Sequence, residues 1–101
     1  MTMEKKIYLS FPISGYDIEE RREYAQRVKK SLEHFYDEVL NPLENGIDAD
    51  APVCEHMRQD FKMLLDCDAI FLGDGWQESM GCRSEFDVAV ACRMDLIYEK
   101  K

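Results

Sequence analysis

With 101 residues the chain has room for one domain around a single core, and a domain of this size buries about two-thirds of the surface its unfolded form exposes. Its 21 acidic residues against 13 basic ones give a formal net charge of -8, which repels nucleic-acid backbones and anionic membranes and leaves a small molecule or a protein as the expected partner. No apolar run approaches the ~20 residues of a membrane span, and the start, MTMEKKIYLSF, lacks the apolar core and cleavage site of a signal peptide, so a cytoplasmic location is expected.

In chain order, Lys6 to Ser10 (KIYLS) predicts a first strand, whose successive apolar residues Ile7, Tyr8 and Leu9 require cover on both faces. A loop with Pro12, Ser14 and Gly15 follows. Asp17 with Glu20 is an Asp-x-x-Glu start signal, and Ala25, Val28, Leu32, Phe35 and Tyr36 keep helical spacing, which predicts a helix from about Ile18 to Tyr36. Glu38 to Asn41 reads as a brief strand closed by Pro42, and the polar loop Leu43 to Ala51 turns at Asn45-Gly46. A second helix is predicted from Pro52 to Leu65, with Val53, Met57, Phe61, Leu64 and Leu65 as its buried stripe. Asp60 interrupts that apolar face, where a carboxylate is costly unless it is partnered, for instance by Arg58 or Arg83, or functional.

Asp68 to Leu72 (DAIFL) predicts a third strand, leading into a loop with Gly73, Asp74, Gly75, Trp76, Ser79 and Gly81. Cys82, Phe86, Ala89, Val90 and Arg93 then recur at helical spacing. Glu85 reads as a first-turn acid of this third helix, kept ionised by the helix N-terminus, and Ser79 as either its cap or a ligand group. Arg83 near the same terminus hints at an anion. Asp95 to Glu99 completes the pattern as a fourth strand.

Strands alternating with helices predict an α/β domain with a four-stranded parallel sheet in the order 2-1-3-4 and helices on both faces. The winding reverses between strands 1 and 3, so the crevice outside their carboxyl ends is the expected ligand site. Ser10 to Gly15 and Gly73 to Gly81 would line it, with Glu85 and Asp60 supplying carboxylates. There is no GxGxxG or GxxxxGK[ST]. Cys54, Cys67, Cys82 and Cys92 read as reduced, buried side chains; they form no CxxC pair and are not spaced with His34 and His56 as zinc ligands. No cofactor and no metal are therefore expected. Two acids with hydroxyls and backbone amides suit glycosidic-bond cleavage, although composition does not select it over other two-acid chemistries.

Tyr8-Leu9-Ser10-Phe11-Pro12, the interval from Asp60 to Asp68, and Ser79-x-Gly81-x-x-x-Glu85 together resemble the nucleoside 2-deoxyribosyltransferase-like superfamily, in particular its short bacterial and phage members. The resemblance covers nearly the whole chain. It implies one flavodoxin-like three-layer domain over residues 1–101, cleavage of an N-glycosidic bond, and a site shared in a homodimer or larger homo-oligomer. Glu85 then matches the family's nucleophile, Asp60 the acid that assists the departing base, and Tyr8 the residue that orients the nucleophile. Ser79 is similar to the phosphate-binding serine of the 2′-deoxynucleoside 5′-monophosphate N-hydrolases, and Ser10, Pro12, Ser14, Gly15, Asp74, Trp76 and Gly81 complete the expected substrate contacts. Two departures stand out. Phe11 replaces a glycine common in the transferases and is expected to intrude on the pocket, and the sequence stops after its fourth strand, which points away from base transfer. A base-exchanging transferase and a non-catalytic nucleotide-binding module are the alternatives.

Overall fold

The computed structural model describes residues 4–100. β1 (Lys6–Ser10), β2 (Glu38–Leu40), β3 (Ala69–Leu72) and β4 (Asp95–Tyr98) alternate with α1 (Ile18–Leu32), α2 (Val53–Leu65) and α3 (Met80–Ala91), and single 3-10 turns occupy Pro42–Glu44 and Trp76–Glu78. The strands pair in parallel in the order β2-β1-β3-β4, as the alternation predicts. In register, Tyr8 lies opposite Leu40 on one side and Ile70 on the other, and Ile70 lies opposite Leu96. The fold is flavodoxin-like, with α1 alone on one face of the sheet and α2 and α3 together on the other.

Side-chain parity divides the core between these faces, because successive residues of a strand point to opposite sides. Ile7, Leu9, Val39, Ala69 and Phe71 meet Tyr24 and Ala25 of α1, with Val28 and Leu32 alongside. Tyr8, Ile70 and Leu72 face the other way, toward Leu64 and Phe61 of α2 and Ala89 and Phe86 of α3. Ile7, Tyr8, Leu9 and Ile70 are fully shielded from solvent, so β1 and β3 form the centre of the molecule.

Three local expectations change. α1 ends at Leu32 rather than Tyr36; Glu33 closes it, and Phe35 is 77% exposed while Tyr36 still packs on the core. Asp17 occupies the N-cap position, but its carboxylate makes no capping hydrogen bond. On α2, Val53 and Leu65 are exposed. Leu65 follows the buried Leu64 by about 100° of rotation, and Val53, although on the side of Leu64, lies about three turns away at the far end of the helix. Met63 takes part in the packing instead.

The carboxyl end of the sheet is tied together by one crowded contact. A Cβ on Gly73, just past β3, would lie 2.5 Å from Tyr24 Oη and 2.8 Å from Phe11 Cβ, so only glycine admits this approach of α1 to the loop. Glu99 accepts from Tyr24 Oη at 2.8 Å and from the Asp74 N–H at 2.7 Å, which fastens the end of β4 to the same point.

Candidate active site

Glu85 is 6% exposed and carries the central contact of the site. Tyr8 Oη donates to Glu85 Oε2 at 2.6 Å, and Ser10 Oγ donates to Oε1 at 2.8 Å. Alternate residues of β1 share a face, so a single strand delivers both hydroxyls to one carboxylate. Glu85 reaches them from the second turn of α3, since the helix begins at Met80 behind its N-cap Ser79. The expectation of a first-turn acid held ionised by the helix terminus is therefore corrected: burial dominates and raises the Glu85 pKa to about 7, with the Tyr8 and Ser10 hydrogen bonds opposing the rise and the charge of Asp60 adding to it. The Tyr8 phenol is pushed well above its ordinary range by burial and then by the Glu85 and Asp60 charges, so it acts as a donor.

Asp60 comes from α2 and is close enough for its charge to be felt at both Tyr8 and Glu85. Its partner is neither Arg58 nor Arg83. Asn45 Nδ2 donates to Asp60 Oδ1 at 2.9 Å and also lies 3.2 Å from His56 Nδ1. Burial raises the Asp60 pKa, opposed first by the Asn45 hydrogen bond and then by His56. Asn45 and His56 escape a reading of the sequence because an asparagine before glycine signals a turn and a lone histidine on a helix signals nothing; the one available clue was that His56 lies one helical turn before Asp60, on the same face.

Ser79 caps α3: its Oγ accepts from the Cys82 N–H at 3.2 Å. Cys82 is buried beside Ser10 and Ser79; burial raises its thiol pKa, the two serines oppose that, and the Glu85 charge adds to it. Its neighbour Gly81 lies in the first turn, where backbone N–H groups have no partner within the helix. Pro12 is buried, lies 3.5 Å through its Cγ from where a Cβ on Gly75 would sit, and has its carbonyl capped by Arg21 Nη1 at 3.1 Å. Ser14 and Gly15 form the exposed tip of the first loop. Trp76 stacks on Phe86 with ring centroids 4.6 Å apart and neighbours Tyr98, and Asp74 is fastened through its backbone to Glu99.

Phe11 does not intrude on the pocket. It follows Leu9 onto the α1 face, where its ring meets Tyr24 edge-on at 5.2 Å and the Arg21 guanidinium at 5.8 Å. Of the four cysteines, Cys67 and Cys82 are buried as expected, whereas Cys54, in the first turn of α2, and Cys92, at the close of α3, are exposed. Among the described residues no group of three metal-ligating side chains gathers at one place, and no helix is long and apolar enough to cross a membrane.

A two-hydroxyl cradle around a buried glutamate, with a second acid nearby, is the setting in which family membership becomes informative. The family model for a domain of unknown function (DUF4406) matches residues 5–98. The chain belongs to the DUF4406 family. In structure this DUF4406 protein is similar to a 2-desoxiribosyltransferase from Leishmania mexicana, with a TM-score of 0.72 and 20% sequence identity. The similarity covers 93% of this chain and 63% of that one, so the DUF4406 chain spans less than two-thirds of the transferase's length. At this identity the likeness establishes the fold. No curated protein matches the chain in sequence.

Proposed function

We propose that this DUF4406 protein cleaves the N-glycosidic bond of a deoxynucleoside 5′-monophosphate and releases the free base. The observation that carries the reading is the Glu85 carboxylate, buried and held by one hydroxyl on each oxygen. Two hydrogen bonds fix its direction, and its pKa near 7 keeps a large share ionised at neutral pH without the shielding of bulk water. In the first step a Glu85 oxygen bonds to C1′ while the C1′–N bond breaks; its electron pair goes to the base nitrogen, and the protonated form of Asp60, which burial favours, supplies a proton to the base. In the second, a water molecule gives its proton to the Asp60 carboxylate and attacks C1′, releasing the sugar phosphate and regenerating Glu85.

Ser79 and the first amides of α3 are the proposed phosphate contacts, since a helix N-terminus with a hydroxyl beside it favours an anion. Pro12, Ser14, Gly15, Asp74 and Trp76 bound the crevice as its walls and loops. In this proposal residues 1–101 act as one cytoplasmic domain, and a second copy closes the open side of the site.

The fold shared with a 2-desoxiribosyltransferase favours base exchange as a second reading. Incubation with nucleosides and their 5′-monophosphates, with free base followed by chromatography, tests both. Base released from monophosphates in water supports hydrolysis; release only when an acceptor base is added supports exchange; binding without turnover rejects both in favour of a nucleotide-binding module. Light scattering at micromolar concentration tests the second copy, and a monomer alone rejects it.

A further inference from the structure

Asp60 and His56 are one turn apart on the same face of α2, and both meet the amide of Asn45 from the segment between the Pro42–Glu44 turn and that helix. Asn45 Oδ1 accepts from the Ile47 N–H at 2.9 Å, which fixes the end of the amide that carries the nitrogen. The two hydrogens of Nδ2 are then divided between Asp60 Oδ1 at 2.9 Å and His56 Nδ1 at 3.2 Å, an arrangement in which Nδ1 accepts and the imidazole proton sits on Nε2. Asp60 Oδ2 hydrogen-bonds to no described residue, and among the described residues no buried side-chain oxygen lacks a partner, so Oδ2 is the carboxyl oxygen that reaches solvent. A neutral carboxylic acid whose Oδ1 already accepts from a fixed amide carries its proton on the other oxygen.

We propose that Asn45 is a positioning residue that aims the Asp60 carboxyl and confines its acidic proton to Oδ2, the oxygen presented to the departing base. This rests on the N-glycosidase reading. In the cleavage step the electron pair of the C1′–N bond passes to the base nitrogen, the Oδ2 proton passes to the base, and Asp60 is left as a carboxylate that Asn45 still holds. His56 keeps the amide from rotating, because turning Asn45 over would place its carbonyl against both Asp60 Oδ1 and the His56 acceptor nitrogen. The groups that bear on Asp60 are His56 on its own helix, Asn45 from the loop, Tyr8 from β1 and Glu85 from α3. Burial raises the Asp60 pKa and the Asn45 bond is the main opposing influence, so loss of that bond moves its titration upward.

The test uses the full chain with Asn45→Asp and Asn45→Ala. Asn45→Asp keeps the acceptor for the Ile47 N–H but sets a second carboxylate beside Asp60, so it reports on loop folding, while Asn45→Ala removes the donors without adding charge and carries the titration comparison; thermal melts confirm that each variant folds. The expected result is a fall in kcat of about a hundredfold for monophosphates with poorly leaving bases, with a smaller fall for good leaving groups and KM within about threefold. The basic limb of the pH-rate profile, set by loss of the acid, moves upward in Asn45→Ala, where no new charge contributes. An equal loss across all leaving groups, with the limb unmoved, overturns the proposal and makes Asn45 a loop residue. Should the wild-type chain turn over no substrate, the glycosidase reading fails while the positioning claim is still measured: carbon-13 titration of the Asp60 carboxyl moving upward in Asn45→Ala supports it, and an unchanged titration overturns it.

Discussion

Tyr8 and Glu85, separated by 77 positions in the chain, meet at 2.6 Å inside the protein. The contact joins the first strand to the last helix, so the geometry of the site and the closure of the fold are one event. A carboxylate in such a place carries a cost that its protonation state reveals.

That cost has a definite sign. The Glu85 pKa rises from 4.5 to about 7 on folding, so its contribution to stability is fully present below the unfolded value and is lost as pH rises through about 7. At pH 8 the ionised form then costs roughly 3 kcal/mol. Glu85→Gln should abolish turnover and yet be the more stable protein at pH 8, by about 1–3 kcal/mol, with the difference shrinking toward pH 4.5. Urea unfolding at several pH values measures this; parallel pH dependence in the two proteins would rule it out.

Tyr8→Phe removes the stronger of the two donors that oppose the rise in the Glu85 pKa. The acid limb of the pH-rate profile, set by ionisation of the nucleophile, should move to higher pH, and the rate below that limb should fall about tenfold per unit moved. A uniform loss at every pH, with the limb in place, would assign Tyr8 to packing alone.

Ser79→Ala withdraws the cap of α3 and a hydroxyl at the proposed phosphate contact. Stability should fall by about 1 kcal/mol through the cap. Separately, the preference for a 5′-monophosphate over its nucleoside should shrink by about 1–3 kcal/mol through loss of a charge-assisted hydrogen bond. Calorimetry with the matched pair of ligands distinguishes the two, because an unchanged preference would leave Ser79 a cap only.

Gly73→Ala places a methyl group against Tyr24 Oη and Phe11 Cβ. A destabilisation of about 1–3 kcal/mol is expected from overpacking. Adding Tyr24→Phe should recover part of it by removing the hydroxyl but not all, since Phe11 stays. Full additivity in a double-mutant cycle would show that α1 moves away instead.

The fold was legible because each strand is a short apolar run bounded by turn residues and each crossover is long enough for parallel pairing. Tyr8, Ser10, Asp60 and Glu85 were named as candidates from the sequence, and the structure places all four on the α2–α3 side of the sheet. What remained hidden depended on angle and distance. Glu85 lies one turn deeper in α3 than its spacing from Ser79 and Gly81 suggests, and burial governs its charge, a balance against the helix terminus that nothing in the sequence weighs. Phe11 reads from sequence as an intruder on the pocket, but parity along β1 and the approach of Tyr24 carry it to the opposite face. Asn45 was read as a turn signal, which it is; the Ile47 N–H bond that makes it one also orients its amide toward Asp60.

The parity of β1 has a consequence for quality control in the cell. Tyr8 and Ser10 point to Glu85 while Ile7 and Leu9 point to the α1 core, so a slip of one residue exchanges the two sets. A molecule in the slipped register would bury hydroxyls where α1 needs hydrocarbon and present isoleucine and leucine to Glu85. Loss of the Glu85 cradle and loss of stability arrive together, so any process that removes unfolded chains also removes copies in which that cradle is broken.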